Sequence, residues 1–191
     1  NPLLSVAELG ALLGSRVKVS KEPTLIFFEG ELPVAPEVFL KRLGGTMEII
    51  EIIEDRLPLA ALETTLNKFL TQQAELRKGK FQWALNVTPE RHDSRLLKHL
   101  LPAMKKALRA QGISTIFLNK GFVNINRVYA FKEKIATKGA NVHLIDIGDG
   151  KMAIGLSRAI QNVDDYARRD YEKPFRDARN GMLPPKLAQI M

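Results

Sequence analysis

Apolar residues along this chain switch repeatedly between a spacing of two and a spacing of three to four, the marks of strand and helix. Ser5-Val6-Ala7-Glu8 has the form of a capping box and predicts a short helix that runs to about Leu13 and stops at Gly14. Residues 15–20 alternate and predict a strand. Glu22-Pro23 makes a turn before "TLIFFEGEL" (24–32), a second strand. Pro36 starts the helix "PEVFLKRL", which Gly44-Gly45 is expected to end by taking the left-handed conformation common after a helix. "MEIIEIIE" is a third strand. Leu59, Leu62, Leu66, Phe69 and Leu70 then mark one face of a longer helix. The order α-β-β-α-β-α over residues 1–76 predicts a ferredoxin-like α/β sandwich, provided one strand stands in front of Asn1.

From residue 77 onward the pattern changes partner but not type. "KFQWALNV" alternates, with Phe81, Trp83, Leu85 and Val87 on one side of a strand. A helix follows over 94–110, a strand over 113–118 and a helix over 127–137 ended by Lys138-Gly139. Strands over 142–147 and 152–160 are joined by "GDGK", a hairpin turn containing Asp-Gly. Residues 77–161 therefore form a second α/β module, and the fold class is α/β (α+β). Residues 162–181 are polar, charged and poorly periodic, so they read as a linker. In "GMLPPKLAQIM" (181–191) a helix opens at Pro185, since proline suits the first helical turn, and it spans about two turns.

Charge sharpens the division. Residues 1–75 carry seven Lys/Arg against eleven Asp/Glu, and residues 76–191 carry 22 against ten. The overall +8 is thus concentrated in the second half, which points to a polyanionic partner. The helix over 94–110 shows how the charge is deployed. Leu96, Leu97, Leu100, Met104, Ala107 and Leu108 share one face; Arg95, Lys98, Lys105, Lys106 and Arg109 share the other. No acid occurs between Ser94 and Gln111. Solvated faces ordinarily mix signs and gain i,i+4 pairs. A single-sign stripe forgoes those pairs and suits phosphate contacts. Lys120 and Arg127 are further cationic candidates. In 164–181, Tyr166, Tyr171 and Phe175 alternate with Arg168, Arg169, Lys173, Arg176 and Arg179; five acids in the same stretch favour aromatics that dock on a neighbour over rings that stack on bases.

Candidate chemistry is sparse. There is no cysteine, which excludes disulfides and thiolate metal sites and fits a reducing cytoplasm. His92, His99 and His143 are scattered, so no metal site is expected. His92-Asp93-Ser94 has the letters of a triad, but neighbours in sequence cannot converge as one, and Asp93 or Ser94 reads as a helix N-cap. Gly148, Gly150 and Gly155 lie in and after a hairpin, not in a phosphate-binding loop. No catalytic and no cofactor-binding residue is assigned. No membrane span or signal peptide is apparent, and Asn1 in place of Met leaves room for a trimmed start.

Three stretches together resemble the THUMP-domain tRNA guanine-N2 methyltransferases: "NPLLSVAEL" at the start, "FLKRLGGTMEI" (39–49) with its Leu-Gly-Gly-Thr, and "RRDYEKPFRDARNGMLPPKLAQIM" (168–191), the most specific. The middle, 77–160, is similar only in general pattern. The resemblance implies a ferredoxin-like N-terminal domain over 1–76, a THUMP domain over 77–161, a linker over 162–181, and at 182–191 the start of a truncated Rossmann-like methyltransferase domain. It implies that this region holds the acceptor stem and 3′ end of tRNA for that domain in cis. The S-adenosylmethionine cofactor would belong to the missing domain, so residues 1–191 alone should not methylate. Two rival readings stand beside it: a protein-interaction or assembly module whose basic face meets an acidic protein, and the THUMP region of a thiouridine synthetase or rRNA methyltransferase.

Overall fold

The computed structural model describes residues 2–20, 22, 24–89, 93–172 and 182–191. Helices and strands alternate throughout, as the spacing of apolar residues requires: α1 (Pro2–Leu13), β1 (Val17–Val19), β2 (Ile26–Phe28), α2 (Pro36–Lys41), β3 (Glu48–Pro58), α3 (Leu59–Glu75), β4 (Phe81–Thr88), α4 (Asp93–Ala110), β5 (Thr115–Phe117), α5 (Arg127–Lys132), α6 (Ile135–Lys138), β6 (Ala140–Gly148), β7 (Lys151–Ile160), α7 (Val163–Tyr171) and α8 (Pro185–Ile190). The chain divides into two compact units, residues 1–49 with 159–191, and residues 50–158. The division differs from the sequence-order boundary at residue 76. Helix α3 buries Leu62, Leu66, Phe69 and Leu70 in the same cluster as β4, β6 and β7, and so belongs with them. Strand β3, read as part of the first module, joins the larger sheet beside β7.

The second unit is built on a five-stranded sheet in the order β3-β7-β6-β4-β5. Strand β4 runs parallel to both β5 and β6, and β7 returns antiparallel along β6. Asp149 (φ 53°) and Gly150 (φ 66°) form the turn between β6 and β7, both with the positive φ that a two-residue hairpin of matching twist demands. One face of the sheet, carrying Phe81, Trp83, Leu85, Val87, Val142, Leu144, Ile154 and Leu156, is covered by α3 and α4. Each such fully buried side chain contributes roughly 1.5–3 kcal/mol of transfer free energy. Trp83 keeps its indole N–H satisfied by donating to Thr115 Oγ1 at 2.7 Å.

Strand β5 is only three residues long, and Leu118 N donating to Trp83 O is its last backbone contribution to β4. Two asparagine side chains then take the place of a strand. Asn119 accepts from Leu85 N at 3.0 Å and donates to Leu85 O at 2.6 Å. Asn124 accepts from Val87 N at 2.8 Å and donates to Val87 O at 2.9 Å. A carboxamide offers the same donor and acceptor pair as a peptide group, so the β4 edge stays satisfied while the backbone turns away. On the opposite face of the sheet a second polar row crosses three strands. Asn86 donates to Asn141 Oδ1 at 2.8 Å, Asn141 donates to Ser157 Oγ at 2.8 Å, and His143 Nε2 lies 3.0 Å from Ser157 Oγ.

The first unit has its own small core of Leu9, Leu13, Phe39, Leu40, Leu43 and Ala159, beside the antiparallel pair β1–β2. Four sequence expectations differ from the structure. Ser5 and Glu8 do not cap α1, which begins at Pro2; Ser5 Oγ donates to Gly45 O at 3.1 Å, and Glu8 accepts from Gly44 N at 2.7 Å and Gly45 N at 3.0 Å. Gly44 and Gly45 are not left-handed. They are glycines because neighbours press on both: a Cβ at Gly45 would overlap Ser5 Oγ, and one at Gly44 would overlap Lys186 O. Residues 162–181 are not all linker, because 163–171 form α7, capped by Asn162 accepting from Asp165 N at 3.0 Å. The charges that hid this helix pair within it, Arg168 and Arg169 both reaching Asp165. The helix expected over 127–137 is also broken in two, at Lys134 with φ 54°. Lys173, Phe175, Arg176 and Arg179, and the capping side chains proposed at Asp93 and Ser94, lie outside the described residues.

Two outcomes follow. Asn119→Asp replaces the donor to Leu85 O and Val123 O with a carboxylate and should cost about 3 kcal/mol, read as a lower urea midpoint with an unchanged slope. Burial pushes the Tyr166 phenol above its ordinary value, with Glu8 and Asp165 adding to the rise and Arg169 opposing it. The phenol holds its proton more tightly folded than unfolded. Its contribution to stability is therefore complete below about pH 10 and is lost as pH rises through the folded value. Phenolate absorbance should show one late tyrosine in the native chain that Tyr166→Phe removes; three tyrosines titrating together would contradict the shift.

Candidate nucleic-acid interface

The buried stripe of α4 fixes which way its other face points. Leu97, Leu100, Leu101, Met104 and Leu108 are buried against the sheet, so the residues half a turn away face solvent. Leu101 belongs to this stripe although the sequence reading passed it over, and Leu96 and Ala107 at its margin are only half-buried. At a hundred degrees per residue, Arg95, Lys98, Lys105, Lys106 and Arg109 fall within an arc of about 100°. Arg95, Lys98, Lys106 and Arg109 are exposed and Lys105 is half-buried. Arg95 and Arg109 stand fourteen residues apart, roughly 21 Å along the helix.

The structure gathers three of these cations into an open concavity of about 400 Å³ lined by Pro102, Lys105, Lys106, Arg109 and Phe117. Lys105 Nζ lies 5.3 Å from the centroid of the Phe117 ring. That ring is itself held edge-on by Trp83 at 5.7 Å and tilted against Phe122 at 6.2 Å. The floor is thus a fixed aromatic surface and the rim is cationic. Among the described residues, none of Arg95, Lys98, Lys105, Lys106, Arg109 and Lys120 has a carboxylate oxygen within 4.0 Å. The nearest acid contact on this helix is to a different side chain, Glu63 Oε2 to His99 Nε2 at 3.2 Å. Five like charges with no counter-charge among the described residues give a local positive field that dissolved ions only partly screen.

Arg95 and Lys98 lie outside this lining, as do the two predicted cations beyond α4, Lys120 and Arg127. Lys120 sits in the short turn over 120–122, which packs against α4, and stacks its ammonium 5.7 Å from the Tyr129 ring. Arg127 opens α5 and is exposed. Pro102 and Phe117 are the site residues that sequence reading missed. The signal for Pro102 was its position, in the middle of the cationic arc. Phe117 carried none, because strand alternation does not say that an edge ring will reach a helix face.

Division into units also refines the charge argument. Residues 50–158 hold 18 Lys/Arg against ten Asp/Glu, so the whole net charge of +8 falls there, and the remainder of the chain is balanced. In the buried polar row, Asn141 Nδ2 and Ser157 Oγ both approach the same ring nitrogen of His143, Nε2, at 3.2 Å and 3.0 Å. Among the described residues no group of three or more His, Asp or Glu could hold a metal ion. No described helix is long and apolar enough to cross a membrane.

Proline at 102 removes the amide that would bond to Lys98 O within α4, at a cost of up to about 3 kcal/mol relative to alanine. Pro102→Ala should therefore raise the urea midpoint by an amount equivalent to about 1–2 kcal/mol. A lower midpoint would mean that the ring's packing beside Phe117 outweighs the lost hydrogen bond.

No protein-family model matches the chain, and no curated protein matches it in sequence.

Proposed function

We propose that residues 50–158 bind RNA through the phosphodiester backbone, and that the chain is the tRNA-binding region of an S-adenosylmethionine-dependent tRNA guanine-N2 methyltransferase. The observation that carries the RNA reading is the acid-free cationic face of α4 with Lys105, Lys106 and Arg109 around the Phe117 ring. Phosphate contacts set position and register and are tolerant of sequence. A ring beside them offers a surface on which an unpaired base can stack, as at single-stranded RNA ends. The acceptor stem and 3′ end of tRNA present both features next to each other. The methyltransferase part of the reading rests on the three stretches of resemblance, 1–9, 39–49 and 168–191. In it the catalytic domain and its cofactor lie beyond these residues, which bind tRNA and do not methylate it.

The test is a tRNA titration at several salt concentrations. Lys105→Glu with Arg109→Glu should weaken binding at least tenfold and lower the dependence of log K on log salt by about 1.5, the share of two phosphate contacts. Affinity and salt slope equal to those of the parent chain would overturn the assignment. Absence of any binding at low salt would favour an acidic protein as the partner of this face.

A further inference from the structure

We propose that Arg77 and Arg158 form a second anion site, sharing no residue with the concavity on α4, that takes one phosphate group between two guanidinium forks. Arg77 lies in the turn from α3 to β4, and its guanidinium carbon stands 5.9 Å from the centroid of the Phe81 ring. Arg158 lies on β7 two residues after Leu156. Strand alternation puts it on the sheet face that carries Leu156, Trp83 and Phe81. The pairings Trp83–Ala140 and Val142–Leu156, continued by two residues, set Arg158 across Ala140 from Trp83. In the order β7-β6-β4 that separation is two strand spacings, about 10 Å. Two arginine side chains on one face close such a gap from its two sides.

The pair is one negative charge short. Glu51 accepts from Arg158 Nε. Among the described residues Arg77 has no carboxylate oxygen within 4.0 Å. Its hydrogen bonds to Gln73 O and Gln73 Oε1 both use Nη1. The Nε–H is buried and has no acceptor among the described residues. Nε and Nη2 make the edge of a guanidinium that holds two oxygens of an anion side by side, and on Arg77 that edge is idle. Buried donors nearly always have a partner, so one without calls for an occupant. Water would satisfy the donor but not the charge. Burial, and after it the positive charge of Arg158, lower the Arg77 pKa, and an anion relieves both. Arg77 is only half-buried, so its outer part meets solvent, and Lys78 and Lys80 are exposed on the same turn. A tetrahedral phosphate suits the site better than a carboxylate, because it has oxygens for two forks at once. Nothing here depends on α4 binding RNA.

The test is the side-chain Nε–H resonance of Arg77 in the full chain, titrated with inorganic phosphate at fixed ionic strength. It should shift saturably, with a Kd below about 10 mM. The response should persist when Lys105→Glu and Arg109→Glu remove the cations of the concavity. Arg158→Gln should weaken phosphate binding about fivefold or more. Arg77→Lys keeps the charge but loses the fork, and should abolish the saturable shifts at the Lys78 and Gly79 amides. A single-stranded oligonucleotide then identifies the source of the phosphate. Competition with inorganic phosphate in the Lys105→Glu, Arg109→Glu chain supports the site as a contact for an RNA backbone; unchanged phosphate affinity supports it as a site for a free phosphate or phosphomonoester. No shift in the parent chain, or a shift that chloride reproduces, would overturn the proposal. So would loss of the response with Lys105→Glu and Arg109→Glu, or phosphate affinity unaffected by both Arg77→Lys and Arg158→Gln.

Discussion

The second unit depends on how strand β4 satisfies its two edges. One edge pairs with β6 over six residues, from Trp83 to Thr88. The other meets only three residues of β5 before that strand ends. A buried peptide group without a partner costs about 1–3 kcal/mol, and Leu85 and Val87 would leave four such groups along the open edge. Asn119 and Asn124 supply them. Because the satisfaction comes from side chains, the backbone over 118–126 is free to turn, and it brings Phe122 against Phe117. The hydrogen-bond requirement of one strand thus fixes the aromatic floor beneath the cations of α4.

That floor distinguishes Lys105 from a lysine free in solvent. A lysine in water is mobile, and its charge is spread over many positions. Lys105 is half-buried and held over a ring that Trp83 and Phe122 keep in place. Lys106 and Arg109 share its concavity, a turn or less away. The arrangement costs the protein the pairing energy that an alternating face would gain, a few tenths of a kcal/mol per pair. In the proposed function, the gain is a face prepared for phosphates before any arrives.

Much of this was legible in the residues. The alternation of Phe81, Trp83, Leu85 and Val87 gave β4 its buried face, and the Asp-Gly in "GDGK" gave the β6–β7 turn, because both rest on local rules. The single-sign stripe of α4 was legible because helical periodicity alone assigns its members to one face. What could not be read was anything set by distant partners. A glycine pair after a helix usually signals a left-handed stop, and only the approach of α1 and α8 gives Gly44 and Gly45 their other reason. Ser5 and Glu8 have the spacing of a cap, but a loop forty residues away uses their oxygens. Helix α7 was hidden because its charges pair internally and Tyr166 is its main anchor. Boundaries between units were missed because α3 precedes the sheet it packs on and follows the module it was counted with.

The unpaired face of α4 has one more consequence, for the bare protein. Lys105 and Arg109 lie four residues apart and Lys106 and Arg109 three, so like charges repel along the helix that covers the sheet. Small anions gathered from solution must offset that repulsion, which makes them part of the folded state in the thermodynamic sense. The molecule's resistance to unfolding is then a property of its solvent as well as its contacts. On the proposed reading, a multivalent anion that spans two of these cations would hold the fold more firmly than chloride at equal ionic strength, because it would bind the native face and not the unfolded chain.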